Sequence, residues 1–243
     1  MAAERYLIVN ADDFGRSRGI NGGVIRAHEK GIVTSASLMV RYSASVEAAD
    51  YASRNRHLSV GLHLDLGEWV CRDWDWTPLY QVVPPDNAVA VRHEVLAQLA
   101  IFDHLMGCAP SHIDSHQHIH RQEPVRTATL EAANQLGIPL RDCTTAIRYC
   151  GRFYGQTAEG GAYPQGISVD ALIRMLAEMP VGVTEVGCHP GVGQDLETMY
   201  SKEREDELKV LCDTRVQSAV ADLGIHLCSF RDVSLLLGKQ AKN

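Results

Sequence analysis

Short apolar segments alternate with amphipathic segments along most of the 243-residue chain. The apolar segments have the length of buried strands, and the amphipathic segments repeat their apolar residues with the 3.6-residue period of a helix. Seven strands are predicted, at 5–10, 33–40, 58–66, from about 111, and at 139–143, 184–191 and 225–230. Six helices are predicted between them, at 20–31, 43–54, 91–106, 124–138, 169–178 and 202–223. Two segments, 67–87 with all three tryptophans and the glycine- and tyrosine-rich 149–166, are expected to be irregular.

This alternation indicates parallel strands joined by helical crossovers, which is the pattern of an α/β fold. Seven strand–helix units favour a TIM-barrel-like (β/α) barrel of about seven parallel strands, which need not be complete, over an open sheet. Periodicity alone does not separate the two. Because no low-complexity linker or internal repeat divides the chain, residues 1–243 are expected to form a single domain.

The composition limits the classes of molecule that the protein is expected to bind. The net charge is −7, which argues against a nucleic-acid or anionic-membrane partner, since either would require a basic face. No segment has the roughly 18 consecutive apolar residues of a membrane span, and "MAAERYLIVN" lacks the pattern of a signal peptide. The seven cysteines are dispersed and odd in number, as expected for reduced thiols. These features together favour a cytoplasmic protein.

Ionisable residues are concentrated at the carboxyl ends of the predicted strands. Five strands contribute them, namely Asp12 and Asp13, His63 and Asp65, His112, Asp114 and His116, Arg141 and Asp142, and His189. In parallel α/β folds the carboxyl ends of the strands meet at one rim, where active sites lie. Polar surface residues without a function would be expected at both ends, so the sequence predicts a functional site at this rim.

Asp12 and Asp13 are adjacent in "NADDFG". Two neighbouring carboxylates repel each other unless a cation or a proton separates their charges. One aspartate could therefore bind a metal ion while the other accepts a proton from water. The alternative is an ordinary turn, because Asp-Asp-x-Gly is common turn chemistry. Histidines at the same rim favour the metal hypothesis.

The segment "HIDSHQHIH", residues 112–120, contains four histidines and an aspartate at alternate positions. In a strand all five would share one face, and eight steps of ~3.3 Å would place the ends about 26 Å apart. In a helical turn, His116 would pair with His112 or with His120. One metal ion cannot reach all of them, and His116 is central in either geometry. His116 is therefore the predicted ligand, while Asp114 and His118 are predicted to orient a ligand or contact substrate.

Two further histidines belong to the predicted rim. His63 is a lone histidine in an otherwise apolar strand, where a buried core histidine is the alternative, and Asp65 on the same face could orient it. His189, between small residues in "GCHPG", is predicted to be a general acid or a contact to substrate, with a turn histidine as the alternative. An Asp–His–His set leaves coordination positions open for water and substrate, as catalytic sites do.

Five segments of the chain together resemble the YdjC-like carbohydrate deacetylases, which include chitooligosaccharide deacetylases and the hopanoid-biosynthesis deacetylase. They are "LIVNADDFGRSRGINGGVIRAHEKGIVTSASLMV", "VGLHLDL", "SHIDSHQHIH", "GIPLRD" and "CHPG". The resemblance extends over about residues 5–230. It implies a TIM-barrel-like fold and one divalent metal ion, zinc or magnesium, with nickel, cobalt or manganese as further candidates. It also implies the metal ligands Asp13, His63 and His116, and Asp12 as the general base.

The predicted activity is metal-dependent hydrolysis of the N-acetyl group of an amino sugar or of a glycan that contains N-acetylglucosamine. Asp12 would act as the base and His189 as the acid, and Arg141 would pair with Asp12 and lower its pKa. Trp69 and Trp74 could stack on a sugar ring or anchor their loop. That tryptophan-rich loop departs from the chitooligosaccharide members, so the sugar is left open. A homo-oligomer such as a dimer is expected from the family alone.

Two other functions fit parts of this pattern. A metal-dependent phosphoesterase also uses aspartates and histidines on a barrel, commonly with two metal ions about 3.5–4 Å apart. A non-catalytic sugar-binding barrel would have no use for a base beside a metal ligand. The metal stoichiometry separates the first alternative from a deacetylase, and acetate release separates the second.

Overall fold

The predicted alternation of strands and helices is present in the computed structural model, which describes residues 4–72, 74–193, 195, 198–233 and 235–236. The strands are β1 (Arg5–Phe14), β2 (Ser35–Leu38), β3 (Ser59–Leu64), β4 (Gly67–Arg72), β5 (Asp75–Gln81), β6 (Ile113–Ser115), β7 (Ile147–Cys150), β8 (Gly182–Cys188) and β9 (Ile225–Leu227). The helices are α1 (Arg18–Lys30), α2 (Ser45–Arg54), α3 (Ala88–Met106), α4 (Val125–Leu136), α5 (Val169–Ala177), α6 (Lys202–Leu211) and α7 (Thr214–Asp222).

Seven of the strands form one parallel sheet in the order β6-β3-β2-β1-β8-β7, and β9 pairs with the first residues of β1. An isolated parallel bridge between Ile113 and Leu140 extends the β6 side by one position. Among the described residues no ladder connects Leu140 to β7, so the curled sheet remains open there. This confirms the predicted α/β fold and an incomplete barrel.

The sheet is buried on both faces, as expected for parallel strands covered by helices. From Leu7 to Phe14 every residue of β1 is buried, and apolar residues of this strand alternate with the polar Asn10 and Asp12. The helices cover the outer face with apolar stripes; in α1 the buried positions include Ile20 and Val24. The polar residues of the strands consequently face the inside of the barrel, where they can meet one another.

Four predicted elements differ in the structure. The expected strand at 139–143 is a single bridge residue followed by a turn in which Asp142 has a φ of 56°. Strand β7 forms a few residues later and extends to Cys150, into the start of the segment expected to be irregular. The tryptophan-rich segment is an antiparallel hairpin, β4–β5. The single helix expected at 202–223 is two helices, because the Asp213 side chain accepts a hydrogen bond from the Arg215 N–H and begins α7.

The histidine-rich segment also divides. Strand β6 ends at Ser115, and the chain then enters a 3₁₀ turn in which Gln117 and His118 have φ values of 50° and 55°. The alternation that would place all the histidines on one face therefore stops after Asp114. This turn separates the roles of the histidines that follow.

Candidate metal centre and catalytic cleft

Asp13, His63 and His116 meet at the carboxyl ends of β1, β3 and β6. The Oδ1 atom of Asp13 lies 3.4 Å from His63 Nε2 and 3.1 Å from His116 Nδ1. One oxygen and two nitrogens thus lie within 4.8 Å of one another, close enough to share an ion. All three residues are buried. The three side chains predicted as metal ligands are brought together by the fold.

The tautomer of His63 is set by Asp114. His63 Nδ1 lies 2.8 Å from Asp114 Oδ1, so Nδ1 carries a proton and Nε2 is the nitrogen that faces Asp13. Asp114 is itself held by Ser37 Oγ, which donates to its Oδ2 at 2.6 Å. A carboxylate behind a histidine is the usual support of a metal ligand. Asp114, which the sequence predicted to orient a ligand or contact substrate, is thus the carboxylate that contacts His63, and Asp65 instead contacts Tyr80.

The residues fit a divalent cation. Asp13 Oδ1 is buried and has no hydrogen-bond donor among the described residues, although a buried carboxylate oxygen is normally satisfied. Burial lowers the pKa of His63, but Asp114, Asp12 and Asp13 outweigh it and raise that pKa to about 10. The surroundings of Asp13 thus stabilise an added positive charge, which a proton or a metal ion can supply. A mixed oxygen and nitrogen donor set suits several divalent ions.

Asp12 lies beside this cluster in a two-point ion pair. Both of its carboxylate oxygens accept from Arg141, at 2.7 Å each, and Asn10 Nδ2 donates to Oδ1 at 2.9 Å. Burial raises the pKa of Asp12, but the adjacent guanidinium outweighs it and holds the pKa below its ordinary value. Asp12 is therefore ionised and held rigidly, as a base positioned next to a metal centre would be.

Arg141 fills the second group of possible metal ligands inside the barrel. Asp12, His63 and Asp114 form another group with ligand spacing. However, Arg141 Nη2 lies 2.7 Å from both Asp12 Oδ1 and Asp114 Oδ2, and its Nε donates to Glu185 at 2.7 Å. The guanidinium already supplies the positive charge at this position. The described residues consequently offer one open metal centre.

His189 comes directly after β8 and lies close to Asp12. Its Nε2 is 3.8 Å from Asp12 Oδ2, and its Nδ1 is 3.8 Å from Oε1 of the buried Glu207. The imidazole side chain is 21% exposed and packs against the stacked rings of Tyr154 and Tyr200, with ring centroids 5.5 and 5.4 Å away. It is thus the partly exposed imidazole that can reach a molecule bound beside Asp12.

These groups line an open cleft of about 930 Å³, a volume typical of ligand sites. Its aromatic wall contains Trp69, Trp76, Tyr149 and Tyr154. His118 also lines it and has Nε2 3.2 Å from the Tyr149 hydroxyl. Burial, with Arg141, lowers the pKa of His118 to about 3, so this histidine is neutral at physiological pH.

Two residues predicted for the rim lie elsewhere. Asp65 accepts hydrogen bonds from the hydroxyls of Tyr80 at 2.9 Å and Tyr42 at 3.3 Å, so it supports the base of the hairpin and not His63. Trp74 is 85% exposed at the hairpin turn and does not line the cleft, whereas Trp76 does. Positions 74 and 76 would share one face of a strand, but only Trp76 belongs to β5, and Trp74 lies in the turn with a φ of 68°.

Two histidines of the segment "HIDSHQHIH" are buried away from the cleft. His112 stacks on Phe230 with ring centroids 3.7 Å apart, and burial lowers its pKa to about 3. His120 is buried with Nδ1 2.6 Å from Ser115 Oγ. Neither lines the cleft. Only His116 and His118 of the four face it.

Sequence reasoning missed several charged residues that complete the site. Arg204 of α6 donates to Oδ2 of Asp13, and Glu207 one turn later accepts from the backbone N–H of His189. Glu68 of the hairpin pairs with Arg16 and has Oε1 3.9 Å from His116 Nε2. Burial raises the pKa of Asp13, but Arg204 and His116 outweigh it, and the pKa is well below its ordinary value. Arg204 and Glu207 lie in "KEREDELK", which has the charge pattern of a solvated helix face, so no local signal distinguishes these two residues.

Comparisons with known proteins agree with this geometry. The YdjC-like protein family matches residues 6–222. A carbohydrate deacetylase of Geobacillus stearothermophilus is 31% identical over 94% of this chain and 98% of its own length. A chitooligosaccharide deacetylase of Klebsiella pneumoniae is 34% identical over 95% of this chain and all of its own length.

Solved structures share the fold. A crystal structure from Enterococcus faecalis superposes with a TM-score of 0.79 at 24% identity, covering 95% of this chain and 99% of that one. A family 4 carbohydrate esterase from Streptomyces lividans superposes with a TM-score of 0.54 at 13% identity, covering 94% and 93%. In the described residues, no helix has both the length and the apolar character needed to cross a bilayer. The match over most of its length shows that this chain belongs to the YdjC-like protein family.

Proposed function

We propose that this protein is a metal-dependent deacetylase that hydrolyses the N-acetyl group of an amino sugar or of a glycan containing N-acetylglucosamine. The observation that carries the proposal is the pairing of an ion-binding cluster with an adjacent ionised carboxylate. Asp13 Oδ1 faces two imidazole nitrogens, and the neighbouring Asp12 accepts two hydrogen bonds from Arg141. Relatives named as carbohydrate and chitooligosaccharide deacetylases support the same reaction.

Asp13, His63 and His116 would hold the ion. A divalent cation there supplies Lewis acidity, polarising the amide carbonyl and lowering the pKa of water. Asp12 accepts the proton of the attacking water as the new carbon–oxygen bond forms. Arg141 keeps Asp12 charged before the reaction and fixes the direction of its oxygens.

His189 protonates the sugar nitrogen as the carbon–nitrogen bond breaks, so acetate and an amine leave. It is partly exposed, and its Nε2 is 3.8 Å from Asp12 Oδ2, so one substrate group bound beside the pair would contact both. Assistance by positioned acids and bases contributes roughly 10²–10⁴-fold to rate. The larger remaining acceleration comes from the ion and from the fixed geometry.

The aromatic wall of the cleft favours a sugar. Trp69 and Trp76 line the cleft, where an indole ring could stack on the apolar side of a pyranose, and the cleft volume accommodates more than one sugar ring. We infer an acetylated amino sugar as the partner. A homo-oligomer and a cytoplasmic location stay predictions from the sequence.

The deciding experiment measures acetate release from N-acetylglucosamine oligomers, with and without a chelator. Acetate that disappears with chelator and returns on adding back a divalent ion supports the proposal. Asp12→Asn is the control, because it should leave the ion bound and abolish most turnover. If the protein binds sugar and metal but releases no acetate from any amino sugar tested, the sugar-binding alternative replaces the proposal.

The phosphoesterase alternative is tested with the same protein. Arg141 fills the only other group of ligand spacing found among the described residues, so one ion per chain is expected. Two bound ions with hydrolysis of a phosphate ester would favour the phosphoesterase.

A further inference from the structure

One carboxylate oxygen of the proposed metal ligand Asp13 accepts a hydrogen bond from an arginine on a helix outside the sheet. Arg204, on α6, is only 6% exposed and donates through Nη2 to Asp13 Oδ2. The other oxygen, Oδ1, faces His63 and His116 and accepts from no donor among the described residues. The carboxylate is thus divided, with one oxygen bound to a guanidinium and the other directed at the ion-binding cluster.

The route of the Arg204 side chain is built into the chain that follows β8. Gly191 donates its backbone N–H to the Arg204 carbonyl at 3.2 Å. A Cβ added at Gly191 would lie 3.1 Å from both Cβ and Cδ of Arg204, so the arginine stem passes directly over this glycine. Beyond it, the guanidinium carbon lies 5.8 Å from the centre of the Tyr200 ring. The side chain is therefore confined along its whole length.

We propose that Arg204 is a positioning residue that selects the oxygen of Asp13 available to the ion and holds it toward His63 and His116. This rests on the proposed function, because it assigns a purpose to Arg204 only if the Asp13 cluster binds a divalent cation. A bidentate carboxylate would need both oxygens free, and the bond to Arg204 leaves one. The competing explanation is that Arg204 only attaches α6 to the barrel.

Removing the guanidinium should weaken metal binding. Without Arg204, Oδ2 loses its donor and the carboxylate can rotate, so binding an ion must first restore one orientation. Loss of a group that supports a metal ligand commonly costs about 10–100-fold in affinity. A residue that merely attaches a helix would change stability and leave the affinity of the folded protein unaltered.

The test compares Arg204→Met with Arg204→Lys and with a control on the same helix, Lys209→Met. Methionine keeps the length of the stem but has neither charge nor donor, and Lys209 is exposed and pairs with Asp206. Zn²⁺ affinity of each protein is measured by competition with a chromophoric chelator, and the visible spectrum of the Co²⁺ form reports the ligand geometry. Melting temperatures of the metal-free proteins are recorded separately.

We expect Arg204→Met to bind Zn²⁺ about 10–100-fold more weakly than wild type and to shift the Co²⁺ bands. Arg204→Lys should recover most of the affinity, and Lys209→Met should match wild type. An Arg204→Met protein that is folded and binds Zn²⁺ within about threefold of wild type, with unchanged Co²⁺ bands, overturns the inference. Absence of Zn²⁺ binding by wild type would instead remove the proposed metal centre, and this inference with it.

Gly191→Ala provides a second route if Arg204→Met does not fold. The added methyl group meets only the Arg204 stem among its three nearest atoms, so it should displace the guanidinium and weaken Zn²⁺ binding. Wild-type affinity in Gly191→Ala, with a lowered melting temperature alone, would show that the contact is structural.

Discussion

Exchanging each carboxylate of the Asp12–Asp13 pair for its amide should separate base from ligand. Two groups in the structure have ligand spacing, one built on Asp13 and the other on Asp12, and both include His63. We expect the ion in the first group, because Arg141 fills the second. Asp12→Asn and Asp13→Asn should therefore fail in different ways.

The cost of Asp12→Asn can be worked out from its contacts. Both Asp12 oxygens accept from Arg141 at 2.7 Å, and in the variant an amide N–H₂ must face one of those donors. Breaking a buried ion pair costs about 3–5 kcal/mol. In a protein of this size that corresponds to roughly 6–20 °C in melting temperature. Turnover should fall by about 10²–10⁴, the contribution of a general base.

Zn²⁺ content should distinguish the two variants. Asp12→Asn should retain one ion per chain, since none of its atoms belongs to the Asp13 cluster. Asp13→Asn should lose it, by more than the roughly 10–100-fold that the loss of a supporting group costs. The assay is dialysis against limiting Zn²⁺ followed by metal analysis, alongside initial rates of acetate release. The reverse result, with metal lost from Asp12→Asn and kept by Asp13→Asn, would refute the assignment.

Three further substitutions test separate parts of the site. Asp114→Asn should weaken Zn²⁺ binding about 10–100-fold, because it no longer fixes the Nδ1 proton of His63; unchanged Zn²⁺ affinity would contradict this. Trp76→Ala should raise KM for a sugar oligomer about 2- to 10-fold by removing a stacking face, while Trp74→Ala should not, and equal effects of the two would exclude the role given to the cleft wall. Burial raises the pKa of Glu185 to about 7, so the native state keeps a proton that the unfolded chain releases near pH 4.5, and stability falls as the pH rises between these values. In Glu185→Gln, the free energy of unfolding should fall by about 3 kcal/mol less than in wild type as the pH rises. Urea unfolding of the metal-free proteins near pH 5 and pH 8 measures this difference. If the free energies of unfolding of the two proteins change equally with pH, the role assigned to Glu185 is wrong.

Much of the site was predictable from a single geometric rule. Carboxyl ends of parallel strands meet at one rim, so residues that follow strands in the sequence are neighbours in the fold. This rule brought Asp13, His63 and His116 together although they are far apart in sequence, and the structure places them within 4.8 Å. It also placed Arg141 and His189 beside Asp12.

Two predictions were wrong because they concern features that the local alternation of apolar and polar residues does not determine. Asp65 shares a strand face with His63, yet the partner of His63 is Asp114 on the neighbouring strand β6, because side chains on adjacent strands lie closer than those two positions apart on one strand. The alternation in "HIDSHQHIH" predicts one face, but positive φ values at Gln117 and His118 end it. Backbone angles of this kind have no signature in the hydrophobic pattern.

The sequence by itself determined the fold class, the rim that carries the site and the three candidate metal ligands, since strand period and strand-end position are local properties. Only the tertiary structure decided which groups support them. Arg204 meets Asp13 from 191 positions away on a helix that has the charge pattern of a solvated surface. Arg141 unites three carboxylates from separate strands and thereby fills the second group of possible metal ligands. Such pairings depend on how the helices pack against the barrel, and this packing is set by the whole chain rather than by any one segment.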